Sequence, residues 1–298
     1  MTETPAPGPT PEQSRSFPLS RRLAESGTLG RWEPVREYSL LIAGQMGRLE
    51  GPPAPTCRQF ASPEDASQHV KDLARDAGAD LVGITHPGPH HLTQGSDNPN
   101  PSVVALAMAM RPEEIRQAPG VAAGVEVFRV YYELGETAIR LAEAVRELGW
   151  QATAYHPVSD IGAGSRILFV PAAIDAGLGE LGRVGFLVTP ELGPMVRLAA
   201  VTTDLPLAID APRLAGIDQF CALCTACLRA CPGGAIPEEK HWVRGAFRWQ
   251  IDPERCFPHF VSHIGCSVCM AVCPYALPEL RRNLLERWSA GRPSATAS

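Results

Sequence analysis

Eight of the nine cysteines fall in two runs near the C-terminal end, and a chain that gathers thiols this way folds around something they hold. The first run is Cys221, Cys224, Cys227 and Cys231, followed at once by Pro232. The second is Cys256, Cys266, Cys269 and Cys273, followed by Pro274. The first reads C-x2-C-x2-C-x3-C-P, the spacing that holds paired iron–sulfur cubanes. The second keeps the C-x2-C-x3-C-P ending, but nine residues push its first cysteine upstream.

The chemistry accounts for the spacing. A cubane offers four iron corners, and a tight C-x2-C-x2-C turn brings three thiolates around one face. In bacterial two-cluster ferredoxins the fourth cysteine, beside the proline, ligates the other cluster. Carried onto this chain, that crossover gives Cys221, Cys224, Cys227 and Cys273 to one cluster. It gives Cys231, Cys256, Cys266 and Cys269 to the second. Zinc sites usually draw their ligands from two separated pairs, and disulfides require an oxidising compartment. Two [4Fe-4S] clusters are the expectation. Cys57 stands alone and is expected to be a small buried or half-buried thiol.

Two neighbouring cubanes form a one-electron conduit, and a conduit needs something to feed. The chain has 298 residues, 45% hydrophobic and 20% charged, so a ferredoxin-like module leaves about 200 residues able to bury a core. Net charge is −5, and the only lysines are Lys71 and Lys240. That balance speaks against nucleic acid as a partner. Arg21–Arg22 faintly resembles a twin-arginine signal, but no apolar segment follows it. No run reaches the length of a membrane span. The expectation is a cytoplasmic protein with no membrane partner.

Residues 1–15 are proline-rich and are expected to be a disordered tail. Residues 16–210 read as a core and 211–280 as the dicluster module, with 281–298 as a helix end and tail. Within the core, Ser62-Pro63-Glu64-Asp65 caps a helix running to Gly78, followed by a strand at 81–85. A continuous apolar strand covers 103–110. Helical spacing of Ile139, Ala142, Val145 and Leu148 marks a long helix from Glu126 to Leu148, stopped by Gly149. Strands are expected at 150–156, 186–189 and 196–203. Helices alternating with strands imply an α+β or α/β class, with the cysteine module appended.

The stretch joining core to module, AAIDAGLGELGRVGFLVTPELGPMVRLAAVTTDLPL, is rich in glycine. Gly177, Gly179, Gly182 and Gly185 either let the backbone approach a large cofactor or make turns with positive φ.

The ordered motifs GLGELGR, TPELGPMVRL, TTDLPL and FCALCTACLRACPGGAI resemble the corrinoid iron–sulfur reductases, the group of reductive dehalogenases and epoxyqueuosine reductases. YYELGETAIRLAEAVRELGWQA resembles a dehalogenase helix, and the similarity runs over roughly residues 65–280. The resemblance implies a nitroreductase-like, cobalamin-binding core joined to a ferredoxin-like 2[4Fe-4S] module. It implies electrons passing from a ferredoxin or flavodoxin through the clusters to cobalt, and reduction of a small organic substrate. In the dehalogenases a tyrosine supplies the proton and a lysine or arginine assists it. Tyr131 or Tyr132 then stands as the donor, with Arg183 as the cation, because a guanidinium stays charged and lowers a neighbouring phenol's pKa. Packing with a wet hydroxyl is the bland role for the tyrosines, and a surface position that for Arg183.

Within the group, GELGR, TTDLPL and the stretched second run look closer to the dehalogenases. The epoxyqueuosine reductases carry an aspartate near the position of Thr137 and a lysine at that of Arg183. The asparagine of some dehalogenases is not evident in YHPVSDIG, 155–162. A tRNA-modifying reductase and a cobalamin-free electron-transfer protein are the alternative functions. His86, His90 and His91 are ordinary loop histidines or, less commonly, a metal site. His156 is a pocket-lining residue, and His259 and His263 pack over the second cluster or hydrogen-bond a sulfide.

Overall fold

A computed structural model describes residues 33–93, 96, 100–158, 166–243 and 245–290. The tail at 1–15, the Arg21–Arg22 pair, the 159–165 stretch and residues beyond Ala290 lie outside the described residues. The elements in order are α1 (Glu33–Gln45), α2 (Pro63–Asp76), β1 (Leu81–Thr85), β2 (Ser102–Ala109), α3 (Pro112–Ile115), α4 (Val121–Glu147) and β3 (Ala152–Tyr155). There follow α5 (Phe169–Asp175), β4 (Glu180–Leu181), β5 (Leu187–Val188) and β6 (Val196–Thr203). The cysteine-rich part holds α6 (Ile217–Leu223), α7 (Ala226–Ala230), β7 (His241–Val243), β8 (Ala246–Arg248), α8 (Pro253–Ser262), α9 (Val268–Ala271) and α10 (Pro278–Ala290).

Four strands form the central sheet in the order β1-β2-β6-β3, every pairing antiparallel. The class is therefore α+β rather than the parallel α/β alternative. Side chains of β2 alternate between two cores, as the period of a strand requires. Val104, Leu106 and Met108 pack with α4 and α2 on one face. Val103, Ala105 and Ala107 meet α5 and its neighbours on the other. This sheet, covered on both faces, explains why β2 is apolar without interruption.

The long helix begins at Val121, five residues before the expected Glu126. Gly120 precedes it, and Gly124 sits where its first turn meets the cysteine module, a contact no local pattern announces. A Cβ on Gly124 would lie 2.6 Å from the Ile264 carbonyl. Gly135 opens a second notch, where a Cβ would lie 2.0 Å from His156 Nε2. At 1.5 Å per residue this helix is about 40 Å long, enough to run from the module across the sheet. Ser62 accepts from the Asp65 amide at 3.2 Å and starts α2 as its sequence requires. Cys57 is exposed rather than buried, its thiol 2.9 Å from the Gly149 carbonyl. Among the described residues, no helix is long and apolar enough to cross a membrane.

Candidate functional site

The module is built from short helices because each must end where a thiol turns inward. Cys221 lies in α6 and Cys227 in α7, with Cys224 at the break between them. Cys273 lies within electrostatic reach of Cys221, Cys227 and Cys224. Cys231 lies within reach of Cys256, Cys266 and Cys269. The fold thus brings the thiols together as two sets of four. Cys269 also feels Cys227, so the sets adjoin.

All nine cysteines are free. Burial pushes the Cys221 and Cys256 thiols up to about 11 and Cys273 up to about 12, with neighbouring thiols adding to it. Cys269 is raised for the same reason. Such a pocket disfavours bare thiolates, so thiolate ligands there need a bound cation to hold them. An iron–sulfur core fits that donor set. The Ala235 amide donates to Cys231 Sγ at 3.3 Å, as a ligand sulfur in a cluster is commonly treated.

The two runs are held differently. Hairpin β4–β5 projects Glu180 and Arg183 into the first. Glu180 is 6% exposed, and its carboxylate accepts the Ala215, Ile217 and Asp218 amides at 2.5, 3.1 and 3.3 Å, capping the start of α6. Arg183 takes the carbonyls at the other end of the same helix. Anion at the start and cation at the end match the helix dipole. In the second run the backbone itself is bent. Ile264, Cys266 and Ser267 have φ of 52°, 32° and 62°, and Ser267 Oγ donates to the Gly265 carbonyl at 2.7 Å. That loop rests on α4, where Gly124 meets Ile264 and Val127 meets Gly265.

Arg183 is therefore not a substrate-facing cation. It is 3% exposed, donates only to backbone carbonyls and lies under the Trp249 ring. The structure does not bring it to Tyr131 or Tyr132. Arg197 of β6 occupies that place instead. Its Cζ lies 5.3 Å from the Tyr131 ring centroid, and its Nε is buried without a hydrogen-bond partner among the described residues. Tyr131 is 9% exposed with its ring edge-on to Phe128 at 5.9 Å, whereas Tyr132 is half-buried and turns toward Tyr38, 6.2 Å away. Sequence reasoning missed Arg197 because it sits in a strand pattern. The signal was there as the one charged residue in VRLAAVTT.

The four glycines are filled by the chain itself. A Cβ on Gly179 would lie 2.3 Å from the Val188 carbonyl, and on Gly182 2.6 Å from Val188 Cγ2. Gly177 and Gly185 have φ of 77° and 79° and face the Ala211 carbonyl and Ile251. They are turns and close approaches within the joint. Gly193, with φ of 68°, serves the same joint against the Tyr275 carbonyl.

The histidines divide. His90 and His91 both place Nε2 on Asp175 Oδ2, at 2.7 and 2.8 Å. His91 Nδ1 already accepts the Gly88 amide at 2.9 Å, so Nε2 keeps its proton and donates. That tautomer makes a strut rather than a metal ligand. His86 is exposed against the Pro101 carbonyl. His156 is fully buried and neutral, its pKa lowered to about 4 by burial. Its Nδ1 accepts the Val158 amide at 3.2 Å, and Nε2 donates to Gln45 Oε1 at 3.0 Å. His259 packs at Gly233, behind the first run, and His263 is exposed beside Ser262.

Residues 220–277 match the 4Fe-4S dicluster domain family. A tetrachloroethene reductive dehalogenase of Desulfitobacterium hafniense is 36% identical over 202 residues, covering 63% of this chain and 34% of that protein. An epoxyqueuosine reductase of Salmonella typhimurium is 26% identical over 217 residues, covering 65% of this chain and 51% of that one. A reductive dehalogenase whose structure was described for a mechanism of B12-dependent dehalogenation superposes with a TM-score of 0.76 at 27% identity, over 85% of this chain and 40% of that one. The chain spans a third to a half of the length of these relatives. With its eight cysteines in a dicluster domain and its core superposing on that of a solved reductive dehalogenase, the chain is similar in sequence and fold to the reductive dehalogenases, and in sequence to an epoxyqueuosine reductase.

Proposed function

We propose that the chain is a cobalamin-dependent iron–sulfur oxidoreductase that removes halide reductively from a small organic substrate. One observation carries the catalytic part. Val127 touches the second cysteine run at Gly265, and Tyr131 stands one turn further along the same helix beside Arg197. Four residues of helix rise about 6 Å, so the electron conduit and a proton donor share one rigid element.

Cobalamin, when bound, supplies a low-valent metal centre able to withdraw a leaving group. Tyr131 holds the proton for the carbon left behind, and its ring is kept in place by Phe128 and the core. Arg197 lies over the Tyr131 ring, and its unpaired Nε is a donor for the departing halide. Electrons arrive from a ferredoxin or flavodoxin. Leu223, between two ligands of the first run, is 87% exposed and offers such a donor a place to approach that cluster.

The test is anaerobic reconstitution with iron, sulfide and hydroxocobalamin, followed by metal analysis and a screen of halogenated phenols and alkenes. The expected result is about eight iron and one cobalt per chain, with dehalogenation abolished by Tyr131→Phe and strongly reduced by Arg197→Gln. Eight iron without retained cobalt would leave an electron-transfer protein. Cobalt without dehalogenation but with binding of a tRNA stem-loop would favour the epoxyqueuosine reductase reading.

A further inference from the structure

Arg183 sits in the turn between β4 and β5 and is 3% exposed. Its Nε donates to the Cys221 and Cys224 carbonyls at 3.0 and 3.2 Å. Nη2 donates to the Ala222 carbonyl at 3.1 Å, and Nη1 to those of Pro237 and Glu238 at 3.0 and 2.5 Å. Its Cζ lies 4.2 Å from the Trp249 ring centroid. Every contact is a dipole or a π face. Among the described residues no carboxylate pairs with it.

A guanidinium stays charged at any working pH, and a buried charge without a counter-charge costs several kcal/mol. The fold supplies acceptors for its donors, while the carboxylates of the same joint are engaged elsewhere, Glu180 by the α6 amides and Asp218 by Lys240 and Trp249. What lies inside the Cys221–Cys224 turn is the first cluster's place. Four thiolates outweigh the charge of the cubane they hold, so the ligated cluster is an anion, and it gains one more negative charge on reduction. The charges around the second run are of another kind. Asp252, Glu254 and Arg255 are all exposed and screened by water.

We infer that Arg183 is the counter-charge of the first cluster, a positioning residue that sets its potential and makes it the more easily reduced of the two. The step is a one-electron transfer from the reduced donor to the first cluster, with no proton moved, because the fixed cation takes up the added charge. The first cluster then stores the incoming electron close to the exposed Leu223, and the second passes it toward α4. This rests on the reading of the eight cysteines as cluster ligands.

The experiment compares the reconstituted parent with Arg183→Gln and Arg183→Lys by iron analysis and an EPR-monitored redox titration. Iron in the parent tests the cluster reading by itself, since a parent without iron defeats that reading before the potentials are asked. In R183Q the midpoint of one cluster should shift downward while the other stays at the parent value. R183K keeps a positive charge at the same place, so its midpoints should stay near the parent values. R183K also decides the matter if R183Q loses the first cluster. Parent-like potentials in a fully loaded R183Q, or a fully loaded R183K in which one midpoint falls well below the parent although the charge is kept, would overturn the inference and leave Arg183 a purely mechanical clamp.

Discussion

The two cysteine runs hold equal numbers of thiols and are supported in opposite ways. The first is compact, and residues outside it brace it by charge: Glu180 at one end of α6 and Arg183 at the other. The second is stretched and braces itself by shape, with three non-glycine residues in left-handed backbone and a glycine notch on α4 to receive them. Left-handed backbone at a β-branched residue such as Ile264 is strained, and tertiary contacts must over-determine it. A charged brace fails when a charge is removed. A shaped brace fails when an atom is added or a buried neutral group is made to ionise.

The largest expected effect breaks the first brace. Glu180→Ala leaves three amides at the start of α6 without their acceptor, two of them buried. Unsatisfied buried donors cost about 1–3 kcal/mol each, so a loss of roughly 3 kcal/mol is expected. Reconstituted E180A should hold about four iron per chain, half the load of two cubanes, with the second cluster's EPR signal intact. Loss of both signals together would mean that the runs do not fold as separately braced units.

Acid should strain the packing of α4, whose start carries the second run, through His156, which fills the Gly135 notch and donates to Gln45 of α1. Its pKa is about 4 in the fold, where burial disfavours the charged ring, against about 6.5 when exposed. The folded value is the lower one, so this contribution is complete above pH 6.5 and is lost as pH falls toward 4. By pH 5 the loss is about 2 kcal/mol. Urea unfolding of the parent between pH 7.5 and pH 5 should show that slope, and His156→Gln should flatten it. An equal slope in both proteins would place the acid sensitivity elsewhere.

A smaller effect comes from adding one methyl group. Gly124→Ala places a Cβ 2.6 Å from the Ile264 carbonyl, and overpacking of this kind costs about 1–3 kcal/mol. The second cluster's signal should broaden or shift while the first is unchanged. A mirrored result, with only the first cluster disturbed, would show that α4 supports the first run instead of the second.

Much of this was legible because it is local. The thiol spacing, the α2 cap at Ser62 and the strands at 81–85 and 196–203 are written in adjacent residues, and the structure agrees with them. The joint was not. In GLGELGR the glycines look like room for a cofactor and the arginine like a free cation, because the partners that fill them, Val188, Ala211 and Ile251, are separated in sequence or across a turn. Glu180 and Arg183 are separated from the cysteine-bearing helix they bracket by β5 and β6, so no local pattern announces the match to its dipole. Arg197 was hidden differently. A cation in a strand reads as solvent-facing until the fold lays Tyr131 beneath it.

The smallest expected effect sharpens the first brace by asking whether any nearby cation suffices. Lys240 lies over the same Trp249 ring as Arg183, at 5.4 Å rather than 4.2 Å, and pairs with Asp218 at 2.6 Å. Both partners of that pair keep some solvent exposure, so it competes with water and is worth about 0.5 kcal/mol. Its charge is also cancelled by a carboxylate, which that of Arg183 is not. Lys240→Ala should therefore lower stability by no more than this and leave iron content and both midpoints at parent values. A K240A protein that loses the first cluster would show that the brace is a shared cationic surface over Trp249. Retention of both clusters would locate it in the one guanidinium that reaches the carbonyls of Cys221, Ala222 and Cys224.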